Sequence, residues 1–255
     1  SGDLDAEDTQ LGEFLKNLFK AAFPSDPNDI SNNNFAEAGT SDAVLYKSET
    51  MLKVVNTAYR RRFIEYGSQP KGVYWSNAEN VRQRFDILCR IFDPDDIAIG
   101  ESSINDLGCG YGALYDHLMG HPIIRGGAYH GYDICEDLLD ACIKRIKDPR
   151  AHFHHSMRAD KTCDYSFVSG TFNLNINADD NQWLAYVFAS LQDLWEKTDK
   201  GMAFNMLHIN AKTTPDGLYY ADPLVFEGFC RTHLSDNIEV IEDYGLPDFT
   251  VLIRP

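Results

Sequence analysis

The sequence predicts an α/β fold: a doubly wound, seven-stranded, mostly parallel sheet with an antiparallel last strand, preceded by an N-terminal helical extension. Three observations carry this. From Ser102 onward, short apolar runs alternate with segments of helical period, as βαβ units do. One such run, Ser103-Ile-Asn-Asp-Leu107, leads into the glycine-rich turn Gly108-Cys-Gly-Tyr-Gly112 and then a helix. The last two apolar runs are joined by Asp243-Tyr-Gly-Leu-Pro247, too short for a crossover, so they must pair antiparallel.

The elements follow in order. Leu11, Phe14, Leu15, Leu18, Phe19 and Ala22 recur at helical spacing, which predicts a helix over 8–24 that Pro24 ends. An Asn/Asp/Ser/Pro-rich loop follows to Asn34. A long helix over 41–66 then carries Ala43, Leu45, Met51, Leu52, Val55 and Ala58, closing near Gly67. A third helix starts after Ser76, where Ser76-Asn-Ala-Glu79 matches a capping box, and Pro94 stops it. Residues 1–98 therefore read as a helical extension covering the site, and 99–255 as the ligand-binding domain. In that domain, strands are predicted near 102–107, 128–133, 151–156, 165–170, 201–207, 238–243 and 248–254. Helices fall near 111–119, 134–148, 181–197 and 223–234. No internal repeat or low-complexity tract interrupts the pattern.

Composition narrows the classes. A 44% hydrophobic content suffices for a packed core. No apolar run reaches the roughly 18–20 residues that span a bilayer, so no membrane association is expected. No basic region followed by an apolar stretch marks a secretion signal. With 39 acidic and 23 basic residues the formal net charge is −16, which disfavours a nucleic acid substrate. Arg60-Arg61-Arg62, the nearest basic cluster, reads as a solvated helix face. Six cysteines without a C-x-x-C pair fit neither a disulfide framework nor a zinc site, and point to a reducing, cytoplasmic compartment.

Glycines after the first strand let the backbone turn sharply and approach a ligand, so Gly108, Cys109 and Gly110 are candidate ligand contacts. The fresh helix N-terminus beyond them favours a carboxylate or phosphate. The turn alone also fits a dinucleotide site, since Gly108, Gly110 and Ala113 match G-x-G-x-x-G/A. A third reading is a tight turn without any ligand. Two acids decide among them. Asp106, at the strand tip, would repel a pyrophosphate but suits a ligand bearing an ammonium group. Asp133, ending Tyr129-His-Gly-Tyr-Asp133, can accept hydrogen bonds from both hydroxyls of a ribose, with Ile134 beside it.

Asp106-x-Gly-x-Gly, the acidic end of the second strand and the seven-stranded pattern together resemble the class I S-adenosylmethionine-dependent methyltransferase family, over roughly residues 80–255. The resemblance implies S-adenosylmethionine as cofactor, with its amino-acid end at Asp106 and its ribose at Asp133. It also places Ser156 and Met157, after the third strand, near the adenine. Asp164-Tyr-Ser-Phe-Val-Ser-Gly-Thr-Phe-Asn173 resembles the family's fourth strand, whose end, Ser169-Gly170, lies beside the reactive methyl group. Gly72-Val-Tyr-Trp75 and Arg84-Phe85 resemble bacterial small-molecule members in which a helical extension covers the cofactor. Trp75 is then a candidate to pack over the cofactor and Arg84 to pair with its carboxylate; otherwise Trp75 anchors the extension and Arg84 is solvated.

Methyl transfer needs a nucleophile held in line with the methyl carbon more than it needs acid or base. Ligands bind beyond the carboxyl ends of parallel strands, which selects the loops after the fourth and fifth strands. These contribute Phe172, Asn173, Asn205, Tyr219 and Tyr220 as substrate candidates. His208 is the candidate general base, histidine being the residue type that exchanges protons near neutral pH, or else it only satisfies a strand end. Asp222 before Pro223 reads as a helix N-cap. His152, His154 and His155 alternate across a strand, so no metal site is expected. The expected function is methylation of a small-molecule acceptor, most simply at oxygen. An NAD-dependent oxidoreductase and a catalytically silent cofactor-binding module acting through partners are the alternatives. A homodimer through the N-terminal helices is a further expectation.

Overall fold

The computed structural model describes residues 41–75, 77–176 and 178–255. Its strands are Ile104–Leu107 (β1), Tyr129–Asp133 (β2), Ala151–His155 (β3), Cys163–Ser169 (β4), Thr198–Leu207 (β5), Asn237–Ile241 (β6) and Asp248–Arg254 (β7). They form one sheet in the order β3-β2-β1-β4-β5-β7-β6. The first five are parallel, and β7 lies antiparallel between β5 and β6, as the short connection required. All four residues of β1 are buried, as a central strand covered on both faces demands. Strand order reverses between β1 and β4. A crevice therefore opens at their carboxyl ends, where open α/β sheets bind ligands.

Among the described residues, seven helices flank the sheet: Ser41–Tyr66 (α1), Ala78–Leu88 (α2), Pro94–Ile99 (α3), Ala113–Leu118 (α4), Glu136–Arg145 (α5), Asp180–Trp195 (α6) and Pro223–His233 (α7). Alternation along the strands divides the core in two. Phe204 packs with Leu52, Trp183, Phe188 and Phe226 on one side, while Ala203 packs with Phe85, Leu114, Tyr129 and Phe167 on the other. Sandwiched between α1 and the sheet, α6 buries residues all round its circumference, as a helix with two apolar neighbours does. Phe188 stacks on Phe229 of α7 with ring centres 3.9 Å apart. On α1, Leu45, Leu52 and Val55 face this core. No described helix is long and apolar enough to cross a membrane.

The expected helix over 8–24 lies outside the described residues, as does Ser76. Two local expectations need correction. The N-cap of α2 is Asn77, whose Oδ1 accepts the Asn80 N–H at 2.8 Å. Pro94 ends one helix but also begins the next: it occupies the first turn of α3, Asp93 caps it by accepting the Asp95 N–H at 2.8 Å, and Gly100 closes it in the left-handed region. The Asp222 cap of α7 forms as expected, accepting the Leu224 N–H at 3.0 Å.

Candidate active site

At the mouth of the crevice, β1 delivers Asp106 and Leu107 and the chain turns through Gly108, Gly110 and Gly112, all at positive φ. Two of these glycines answer different demands. A Cβ on Gly108 would lie 2.2 Å from Thr171 Oγ1, so the loop can pack against the β4 end only without a side chain. A Cβ on Gly110 would meet nothing closer than Val73 at 3.6 Å and would project into open space. The loop is tied to β2 by Asp133. Its Oδ2 accepts the Gly110 N–H and its Oδ1 the Cys135 N–H, both at 2.8 Å. Burial raises the Asp133 carboxyl above its ordinary value, and these backbone donors hold it back. The helix beyond the loop, α4, has six residues, so the N-terminal field expected of it belongs to little more than one turn.

Asp106 is 2% exposed. The Tyr129 hydroxyl donates to its Oδ2, and among the described residues no cation pairs with it. Burial pushes its pKa up to about 7, against the pull of the Tyr129 hydrogen bond. A buried carboxylate of this kind favours a cation that arrives from outside the chain.

A narrow cavity of ≈ 80 Å³ opens here. The loop supplies Asp106, Gly108, Cys109 and Gly110 to its wall, and the β2 end Asp133 and Ile134. Ser156 and Met157 enter from beyond β3, Ser169 and Gly170 from the end of β4, and Trp75 from the segment before α2. Sequence reasoning missed Tyr59 of α1 and Tyr186 of α6, which complete the wall. Their phenols are pushed up by burial, Tyr186 to about 12. On α1, Leu52, Val55 and Tyr59 repeat at helical spacing and all face this cavity; that stripe was legible, but its destination was not.

A second, roomier cavity of ≈ 290 Å³ adjoins the first. Tyr59, Val73, Trp75 and Gly170 line both, so Trp75 and Gly170 form part of a partition. Asn173 and Tyr220 lie in the second wall. The loop after β5 crosses it with Thr213, Pro215 and Leu218.

The remaining candidates sit elsewhere. Arg84 lines the second cavity, not the first, and binds Asp248 instead of facing the loop at Asp106. Phe172 is core, its carbonyl taken by the Trp183 indole N–H at 2.9 Å. Asn205 is a clamp: its Oδ1 accepts the Gly170 N–H at 2.8 Å, and it lines neither cavity. Tyr219 is buried in the core beside α6. His208 also lines neither cavity. Its Nδ1 accepts the Asn210 N–H at 2.9 Å, which leaves Nε2 as the donor to Glu242 at 2.7 Å. Both ring nitrogens are engaged in holding the strand end, so the structure does not bring this histidine to the site.

No family model matches the chain. The Mycobacterium tuberculosis protein named "Putative methyltransferase Rv1506c" is 37% identical to it over 155 residues, 60% of this chain and 92% of that protein. The magnesium protoporphyrin IX methyltransferase of Synechocystis PCC 6803 with bound SAH superposes with a TM-score of 0.55 at 13% identity, covering 77% of this chain and 97% of that one. Human N-acetylserotonin methyltransferase with SAM gives a TM-score of 0.54 at 11% identity, over 81% of this chain and 59% of that one. At such identities the two structures establish likeness of fold.

Proposed function

Because the chain belongs to the class I S-adenosylmethionine-dependent methyltransferase family, we propose that it methylates an oxygen of a small-molecule acceptor, with cofactor in the first cavity and acceptor in the second. The observation that carries the cofactor assignment is Asp106, buried with no cationic partner among the described residues. The ammonium of S-adenosylmethionine supplies the missing charge and relieves the penalty of burial. Asp133 keeps a lone pair on each oxygen beyond its two backbone bonds, and these accept the ribose hydroxyls. Met157 and Ile134 offer a soft apolar bed for the adenine, with Ser156 beside it. The space at Gly110 takes the cofactor where a side chain would block it. Ser169, Gly170 and Trp75 surround the reactive end.

When bound, the cofactor supplies a sulfonium methyl: an acceptor oxygen forms the new C–O bond while the C–S electron pair stays with sulfur as a neutral thioether. No acid is required for that leaving group, so the work of the protein is alignment across the Trp75–Gly170 partition. The size of the second cavity and the −16 net charge support a small acceptor over nucleic acid. Calorimetry with S-adenosylhomocysteine tests the first assignment, and absence of binding refutes it. Incubation with S-adenosylmethionine and a library of hydroxyl, carboxyl and amine compounds, read by mass spectrometry, tests the second. Products methylated only at nitrogen or carbon refute the oxygen reading.

A further inference from the structure

Most of the second cavity's wall is apolar or aromatic, with Trp75, Tyr220, Leu174 and Leu218 among it, yet it contains a buried ion pair. Arg84 comes from α2 and Asp248 opens β7; they are 8% and 2% exposed. The pairing is lopsided. Nε and Nη2 of Arg84 both donate to one oxygen, Oδ2 of Asp248, at 2.9 and 2.6 Å. Nη1 is buried and has no hydrogen-bond partner among the described residues. A guanidinium fork facing a carboxylate commonly engages both oxygens, and a buried donor without an acceptor is destabilising. Native structures seldom keep such a group without a use for it.

Its surroundings suggest the use. The guanidinium carbon lies 5.9 Å from the ring centre of Trp75, which lines both cavities, so the charge sits close to the partition. Asp248 is raised by burial but held by Arg84. Apart from it, among the described residues the second wall contains no carboxylate, histidine or lysine to take a proton from an acceptor. An acceptor that arrives already ionised needs no base. Resting on the assignment of the two cavities above, we infer that Arg84 selects an acceptor carrying an anionic oxygen, a carboxylate or phenolate on a ring-sized apolar frame. The Arg84 guanidinium donates to that oxygen from the cavity wall, and Asp248 is the positioning residue that fixes the plane of the fork.

The test is calorimetry on the full chain saturated with S-adenosylhomocysteine, using benzoate, 4-nitrophenolate and benzamide as probes. At least one anion should bind tenfold or more tightly than benzamide, and which anion does so separates carboxylate from phenolate recognition. In the double variant Arg84→Met with Asp248→Asn, which removes both charges together, the preference should fall below twofold with S-adenosylhomocysteine affinity unchanged. Arg84→Lys, keeping charge without the fork, should retain part of it. Benzamide binding as well as both anions, or a preference that survives the double variant, overturns the inference. So does loss of S-adenosylhomocysteine affinity in that variant, which would hand Arg84 to the cofactor carboxylate. Wild-type protein that binds S-adenosylhomocysteine but no anion overturns this inference alone; protein that binds neither overturns the cavity assignment as well. Should the double variant fail to fold, the wild-type ratio of anion to amide decides.

Discussion

Replacing Asp106 by Asn should stabilise the ligand-free protein while weakening cofactor binding, and the size of both effects follows from burial. The carboxyl titrates near 7 in the fold against an ordinary 3.8. A raised carboxyl pKa makes the ionised form the costly one. The penalty is therefore complete above pH 7, declines as pH falls, and vanishes below 3.8. At pH 7.5 it amounts to about 4 kcal/mol, and at pH 5.5 to about 2 kcal/mol. Asparagine keeps the volume and can still accept the Tyr129 hydroxyl, but carries no charge. Urea unfolding of Asp106→Asn should thus show a gain of up to about 4 kcal/mol at pH 7.5, narrowing to about 2 kcal/mol at pH 5.5. Calorimetry should show the opposite trend for S-adenosylhomocysteine. Loss of a charge-assisted bond worth about 1.5–3 kcal/mol raises Kd roughly 10- to 150-fold. Wild-type affinity should itself weaken about fivefold from pH 7 to pH 6, as protons compete with the ammonium for Asp106. Equal stability of wild type and variant at pH 7.5, together with equal Kd, would refute the reasoning.

Further substitutions separate the demands on the site. Gly110→Ala should lose only about 1 kcal/mol in urea unfolding, the strain of its φ of +57°, but should weaken S-adenosylhomocysteine binding at least tenfold, because its methyl group enters the cavity. Gly108→Ala should instead unfold about 2–4 kcal/mol more easily, since Thr171 stands 2.2 Å from the added carbon; Thr171→Ala should restore part of that. His208→Ala should leave kcat within about threefold of wild type and flatten no limb of its pH profile, as the ring faces Glu242 and neither cavity. A hundredfold fall in kcat would return the histidine to the chemistry.

What was legible in the sequence was local. Asp106, the glycine turn and Asp133 lie on one strand–turn–helix–strand unit, so spacing alone could bring them together. The hairpin of β6 and β7 was equally readable from its short link, which ends in Asp243-Tyr-Gly-Leu-Pro247. Residues joined only by packing were not. Arg84 and Asp248 are 164 positions apart, and nothing near either names its partner. Tyr59 and Tyr186 reach the first cavity from helices whose docking onto the sheet no periodicity specifies. Strand-end polar residues misled for a related reason. Asn205, near the end of β5, and His208, just beyond it, do lie at the site's edge of the sheet, but a loop amide and Glu242 claim their side chains. A rule that locates the end of a strand does not say which way its last side chains turn.

The partition between the cavities gives the sharpest coupling to measure. Gly170 adopts φ +70, and a Cβ there would lie 2.8 Å from Trp75 Nε1 and 3.2 Å from its Cζ2. The backbone cannot easily retreat, because the Gly170 N–H is fastened to the buried Asn205 Oδ1. Trp75 must yield instead, and it also packs against Phe85, 5.6 Å between ring centres. Gly170→Ala should therefore carry two costs: about 1 kcal/mol of backbone strain, which no neighbour can relieve, and about 1–3 kcal/mol of overpacking, which a smaller partner can. Trp75→Phe removes the atoms in conflict. In a double-mutant cycle by urea unfolding, the two substitutions together should be less destabilising than the sum of the singles by at least about 1 kcal/mol. Because Trp75 also walls both cavities, Gly170→Ala alone should change tryptophan emission and raise the Kd for S-adenosylhomocysteine. Strict additivity, with emission unchanged, would mean that the glycine serves its φ alone and that Trp75 does not form the partition.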